Sequence, residues 1–309
     1  MDPMHLSSIT RPKSILVATD LNDLDFLLPV AIDQAKVTGA MIWLLHVIPP
    51  DACVSTESGA FPLTKKEKAF RDAEAVLAKA ANELKAQNLA CAYEVRRWYP
   101  VDRVIDFIHE RGIKRLILGT SSRGKLGKLL LGSVAEELIR SLDIPVCTVG
   151  PHFKPTPERS PRRVIFATSL RHDPEKSFHF AVELAAGMAA ELTVLYVLEQ
   201  DHMDDGIYAE AMSAIDEMLK GAKQKNLVSR IRIRYGEPAE EIVSECSALG
   251  PELLILGALP ASPMAANFRA GVVYRVIAQA QCPTFTLRTG TKAKQRQNGC
   301  ASSAVHTVS

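Results

Sequence analysis

Hydrophobic positions along the chain fall into two alternating patterns. Leu16-Val17-Ala18, Ile42-Trp43-Leu44-Leu45, Leu116-Ile117-Leu118 and Val146-Cys147-Thr148-Val149 are short, near-continuous apolar runs. Such runs mark strands covered on both faces. Between them, Ala73, Val76, Leu77, Ala80, Ala81 and Leu84 recur at the spacing of one helix face, as do Val101, Val104, Ile105 and Ile108. Gly39 and Gly112 stand where helices would stop. Phe178, Ala181, Val182 and Ala185, then Ile215, Met218, Leu219 and Ala222, carry the same rhythm further along. Strands alternating with helices across short links predict an α/β fold with a doubly wound parallel sheet and helices on both faces.

The pattern occurs twice. Ile15-Leu16-Val17-Ala18-Thr19-Asp20 returns 149 residues later as Val164-Ile165-Phe166-Ala167-Thr168-Ser169, and Leu45-His46-Val47 returns after 150 as Leu195-Tyr196-Val197. Leu116-Ile117-Leu118-Gly119 and Ile144-Pro145-Val146-Cys147-Thr148-Val149 each return after only 138, as Leu254-Ile255-Leu256-Gly257 and Cys282-Pro283-Thr284-Phe285-Thr286-Leu287. The first copy therefore carries about twelve extra residues, placed near Pro49–Leu63, where Ser, Thr, Gly and Pro read as a loop. That loop follows a strand end on the ligand side of such a sheet and is expected to shield the first copy's pocket. Residues 1–150 form the first domain and 162–288 the second. Four prolines make 151–161 a stiff connector, and the aperiodic polar stretch 289–309 reads as a disordered tail.

Composition narrows the function by exclusion. Thirty-seven basic against 35 acidic residues leave a net charge of +2, which gives no global footprint for nucleic acid or membrane. No apolar run approaches the length of a membrane span, and the N-terminal residues lack a signal-peptide core. Six scattered cysteines without a C-x-x-C then read as reduced thiols, and a cytoplasmic protein is expected.

Candidate chemistry concentrates in residues 119–136. The chain leaves a strand at Gly119, passes Thr120, Ser121, Ser122, Arg123, Gly124, Lys125 and Lys128, and enters a helix at Gly132-Ser133. Small residues let backbone N–H groups approach a phosphate, a helix start adds free donors, and three bases supply charge. A plainer reading fits the same residues: Ser133 and Glu136 as a capping box, with Lys125 and Lys128 a solvated face.

This stretch resembles the universal stress protein family, whose signature is Gly, two residues, Gly, nine residues, Gly, then Ser or Thr. Gly119 and Gly132-Ser133 match it, while Ser122 replaces the middle glycine. Ile15–Asp20 and Leu44–Val47 look like the family's first two strands, and the resemblance covers residues 13–288 twice over. It implies two tandem Rossmann-like, adenine-nucleotide α-hydrolase-like domains. It further implies that Ala18, Thr19, Asp20 and Val47 face adenine and ribose, that Gly119 lies under ribose and phosphates, and that Gly132, Ser133 and Val134 hold the phosphate tail. Ser122 and Arg123 complete the candidate set. ATP is the implied ligand, one per chain, compatible with an accompanying divalent metal and slow incidental hydrolysis; a dedicated enzyme is not expected.

The second copy is degraded at each point. Asp20 has become Ser169, Gly132-Ser133 aligns with Ala270-Gly271, and Pro260 and Pro263 stiffen the loop. It reads as a structural partner. His46 and Tyr196 occupy matching strand ends, which suggests packing, and Trp98 reads as a packed loop aromatic. Single-copy relatives resemble this chain in pairing their last strands antiparallel. The resemblance thus implies an intramolecular pseudo-dimer joined around Val146-Cys147-Thr148 and Thr284-Phe285-Thr286, which would cover two apolar sheet edges. The expected function is stress-response regulation through an adenine nucleotide. The alternative is a structural or interaction protein of the same fold that binds no nucleotide, with no nucleic acid or membrane partner in either case.

Overall fold

Apolar runs became strands and the helical-period segments became helices, in strict alternation. The computed structural model describes residues 9–50, 62–120, 131–150, 153–154, 162–170, 174–199, 205–223, 226–258 and 271–288. The first half runs β1 (Ser14–Thr19), α1 (Leu24–Thr38), β2 (Met41–Ile48), α2 (Pro62–Ala86), β3 (Cys91–Arg97), α3 (Pro100–Arg111), β4 (Leu116–Gly119), α4 (Ser133–Ser141) and β5 (Val146–Val149). The second runs β6 (Arg162–Thr168), α5 (Glu175–Gly187), β7 (Ala190–Leu198), α6 (Asp205–Lys223), β8 (Ser229–Tyr235), α7 (Pro238–Leu249), β9 (Leu253–Ala258), α8 (Val272–Gln279) and β10 (Thr284–Arg288). Helices α1 and α3 stop at Gly39 (φ 71°) and Gly112 (φ 60°), a left-handed conformation that glycine adopts without a Cβ clash.

Ten strands form one sheet in the order β3-β2-β1-β4-β5-β10-β9-β6-β7-β8. Neighbours within each half run parallel, and among the described residues only β5 and β10 are antiparallel. Their register pairs Thr148 with Thr284, Cys147 with Phe285 and Val146 with Thr286. At the 138-residue repeat offset Val146, Cys147 and Thr148 also correspond to Thr284, Phe285 and Thr286, so a local two-fold axis passes through the Cys147–Phe285 pair. Thr148 Oγ1 donates to Thr284 O at 3.2 Å, and Thr286 Oγ1 donates to Val146 O at 3.3 Å, each bond the image of the other. The expected pseudo-dimer is therefore built into the sheet. Two apolar edges become interior, and the outer strands β3 and β8 carry charged side chains instead: Glu94, Arg96 and Arg97, then Arg230, Arg232 and Arg234.

The seam is more than a strand pair. Arg115, fully buried, donates Nη1 to Gln34 Oε1 at 2.6 Å and Nη2 to Ile9 O and Thr10 O at 3.1 and 3.2 Å. Its guanidinium carbon lies 5.2 and 5.5 Å from the ring centres of Phe180 and Phe285 in the second half. Burial lowers its pKa to about 10, which leaves it charged at neutral pH. Asp33 of α1 accepts from Arg162 at 2.9 Å. Gly187 ends α5 where a Cβ would stand 2.8 Å from Val37 Cγ1, so α1 and α5 pack at glycine distance. One buried cluster consequently runs through both halves.

Three expectations need correction or limit. Val76 is 40% exposed, because the apolar face of α2 turns on Ala73, Leu77, Ala80, Ala81 and Leu84. The surplus of the first copy is not all loop: α2 begins at Pro62 and has 25 residues, against 19 in α6. Residues 51–61, most of the connector and the C-terminal tail lie outside the described residues. Cys91, Cys147, Cys246 and Cys282 are free and buried. Among the described residues no helix is long and apolar enough to cross a membrane.

Candidate functional site

Strand β1 lies between β2 and β4, whose connections leave toward opposite sides, so the sheet opens a crevice at the C-terminal ends of β1 and β4. A small polar network shapes its β1 wall. Thr19 Oγ1 accepts from Leu21 N at 2.9 Å and donates to Asp23 Oδ1 in a short bond. Leu21 adopts φ 76°, and Asp20, exposed, accepts from Asn22 N at 2.8 Å. His46 sits opposite Thr19 in register, and its Nδ1 lies 2.8 Å from Thr19 O. That contact ties the ends of β1 and β2 together, in keeping with a packing role. Ala18 is half-buried and Val47 buried, one strand apart.

The other wall is β4 and the start of α4. Thr120 N donates to Val149 O at 3.0 Å, and Gly132 N donates to Thr120 O at 3.2 Å. The segment between Thr120 and Gly132 therefore departs and returns at one hydrogen-bonded neck beside Gly119. Ser122 and Arg123, both candidate residues, lie in that segment and outside the described residues. Gly132, with φ −62° and ψ 147°, is the N-cap of α4, and among the described residues no side chain caps it. The predicted capping box is not formed. Ser133 is the first helical residue rather than the cap, so its hydroxyl sits one position too late. The first turn of α4 thus starts beside Gly119 with no side-chain cap among the described residues, a seat suited to an anion.

Asp23 was not singled out by the sequence. It is 6% exposed, and its carboxyl lies so near Gly119 that a Cβ there would stand 2.5 Å from Oδ2. Burial, with Asp20 adding to it, raises the Asp23 pKa to about 6 against the lowering by the Thr19 hydroxyl. The glycine at 119 is thus required by its neighbour. A carboxylate three positions beyond the family's acidic residue gave no separate signal in one sequence.

In the second half the backbone frame persists and the side chains on it differ. Thr168 Oγ1 accepts from Leu170 N at 3.3 Å, and Leu170 has φ 57°, as Leu21 does in its own turn. Helix α8 starts from Gly271 with φ −72° and ψ 152°, almost the geometry of Gly132. The helix-start glycine is thus retained, and the counterpart of Gly132-Ser133 is Gly271-Val272, not Ala270-Gly271. One residue more in the loop and one fewer in the helix hide this in the sequence. What is lost is the hydroxyl, to Val272, and the β-strand-end acid, to Ser169.

Trp98 departs from its expected packed role. It is 53% exposed and holds φ 125°, at which a bulky side chain is strained by on the order of 1–3 kcal/mol. Among the described residues no group of three or more His, Cys, Asp or Glu side chains is arranged to hold a metal ion.

Comparison with known proteins agrees with this geometry. The family model described as the universal stress protein family matches residues 12–150 and again 161–288. A universal stress protein of Methanocaldococcus jannaschii is 24% identical over 139 residues, 44% of this chain and 81% of that protein. A solved universal stress protein from Archaeoglobus fulgidus superposes with a TM-score of 0.69 at 18% identity, covering 90% of this chain and 99% of that one. A functionally unknown protein from Pseudomonas aeruginosa gives 0.66 at 16% identity, covering 92% and 95%. At such identities the solved structures speak for the fold.

Proposed function

Because the chain belongs to the universal stress protein family, with both halves matched, we propose that it is a stress-response regulator that binds one adenine nucleotide, ATP foremost, in its first half. The observation that carries this is the neck at Thr120 and Gly132, which sets an uncapped helix start beside Gly119 at the sheet's crevice. Phosphates would sit on the first-turn N–H groups of Ser133 and Val134, with the Ser133 hydroxyl adjacent. Ribose would lie over Gly119, where Asp23 offers an acceptor for its hydroxyls. Adenine would lie over the strand ends at Ala18, Thr19 and Val47, with Asp20 at the rim. Arg123 would add positive charge for the phosphates, and Ser122 a hydroxyl. A divalent cation would arrive with the nucleotide, since the described residues form no metal cluster of their own. The role is regulatory: occupancy of the site changes which proteins the chain engages, in the cytoplasm and without nucleic acid or membrane. The second half supplies its edge strand and core.

The alternative of an interaction protein without ligand draws on Asp23, whose buried carboxyl occupies the face of Gly119 that a ligand must approach. Mass spectrometry of whatever heat-denatured purified protein releases separates the two. An adenine nucleotide at about one per chain supports the first reading. Protein that releases none, and takes up none when ATP is supplied, supports the second.

A further inference from the structure

Trp98 and Tyr99 follow β3 at the same end of the sheet as Thr19, His46 and Gly119. Trp98 N donates to Ile48 O at 3.1 Å, and Ile48 is the residue after Val47. At the corresponding place in the second half, Gly236 N donates to Leu198 O at 2.9 Å. Both residues hold positive φ, 125° for Trp98 and 147° for Gly236. One half thus fills a left-handed position with glycine, which suits it, and the other with an indole, which does not. The indole is not compensated by burial. Trp98 and Tyr99 are 53% and 54% exposed and meet edge to face, with ring centres 5.5 Å apart and planes at 82°. Neither the turn nor the core accounts for this pair, and strain held at the ligand end of a fold points to a ligand.

Resting on the site proposed above, we propose that Trp98, braced by Tyr99, is the stacking wall for the base of the nucleotide bound in the first half. The strands stand in the order β3, β2, β1, β4, about 4.8 Å apart. Phosphates at the start of α4 and ribose over Gly119 direct the base across the ends of β1 and β2. Its outer side then reaches the β2–β3 boundary, where Trp98 is hydrogen-bonded. An indole contributes stacking to any base without reading its edge, so it adds affinity for the nucleoside part. The second half, with Gly236, lacks such a wall as well as Ser133 and Asp20.

The test compares ATP affinity of the full chain, Trp98→Gly and Trp98→Phe by calorimetry, with melting temperature recorded for each. Trp98→Gly should weaken ATP binding by about ten- to a hundredfold. Its melting temperature should stay unchanged or rise, since glycine relieves the strained φ. Trp98→Phe, which keeps an aromatic face, should restore most of the affinity. Equal ATP affinity in all three proteins overturns the stacking wall and leaves the site itself standing. A wild-type chain that binds no ATP overturns the site reading, and the stacking wall with it.

Discussion

The two halves share a backbone and differ in what they place on it. Each turns after its first strand through a leucine at positive φ, held by a threonine hydroxyl, and each starts its last helix from an uncapped glycine. Only the first adds Asp20, Asp23, Ser133 and an exposed indole to that frame; the second has Ser169, Val272 and Gly236. Conversely, the first half keeps a buried arginine at position 115, where the repeat offset puts Leu253 in the second, 2% exposed. The frame persists because strand pairing and the core need it in both halves. The exposed side chains at the crevice, Asp20, Trp98 and Ser133, carry little packing load and are free to diverge.

The largest effect expected from breaking this asymmetry lies at the helix starts. Gly132→Val should abolish nucleotide binding, a loss of more than about a hundredfold, by placing a branched side chain where phosphates meet the first-turn N–H groups. Gly271→Val should leave binding intact, and calorimetry on both variants decides. If Gly271→Val also abolished it, the assignment to the first half would fail.

A second contrast is Arg115 against Leu253. Arg115→Leu makes the halves alike at this point but removes the bonds that Gln34 and the Ile9 and Thr10 carbonyls make to the guanidinium. We expect a loss on the order of 3 kcal/mol, given roughly 1–3 kcal/mol for each buried group left unpaired and the partial relief of removing a buried charge. Urea unfolding measures it. A variant as stable as wild type would show that the arginine is not what holds the seam.

A smaller effect comes from Asp23. Its folded pKa of about 6 exceeds the ordinary 3.8, so the native state holds the proton more tightly than the unfolded chain. Stability from that proton is fully present below about pH 4 and is lost as pH rises through about 6. Asp23→Asn should therefore match wild type at low pH and exceed it at neutral pH by about 3 kcal/mol. Parallel stability curves for the two proteins across that range would refute the burial of this carboxyl.

Much of the fold was legible in the sequence because buried parallel strands and amphipathic helices impose unmistakable periods, and two copies show each period twice. The pairing of Val146-Cys147-Thr148 with Thr284-Phe285-Thr286 was readable from the resemblance to single-copy relatives that join their last strands, together with the need of an apolar last strand for a cover. Less legible was whatever depends on local backbone. β3 and β8 are half-exposed edge strands and escaped the apolar-run criterion. Ser133 looked like a cap because spacing alone cannot separate a cap from the first residue of the turn. Asp23 became visible only when folding placed it on Gly119, and Trp98 only when its φ and exposure were known.

Calorimetric titration of the full chain with ATP tests the central claim most directly. The account predicts a single site per chain, lost in Gly132→Val. Two equivalent sites, or none at all, would contradict it.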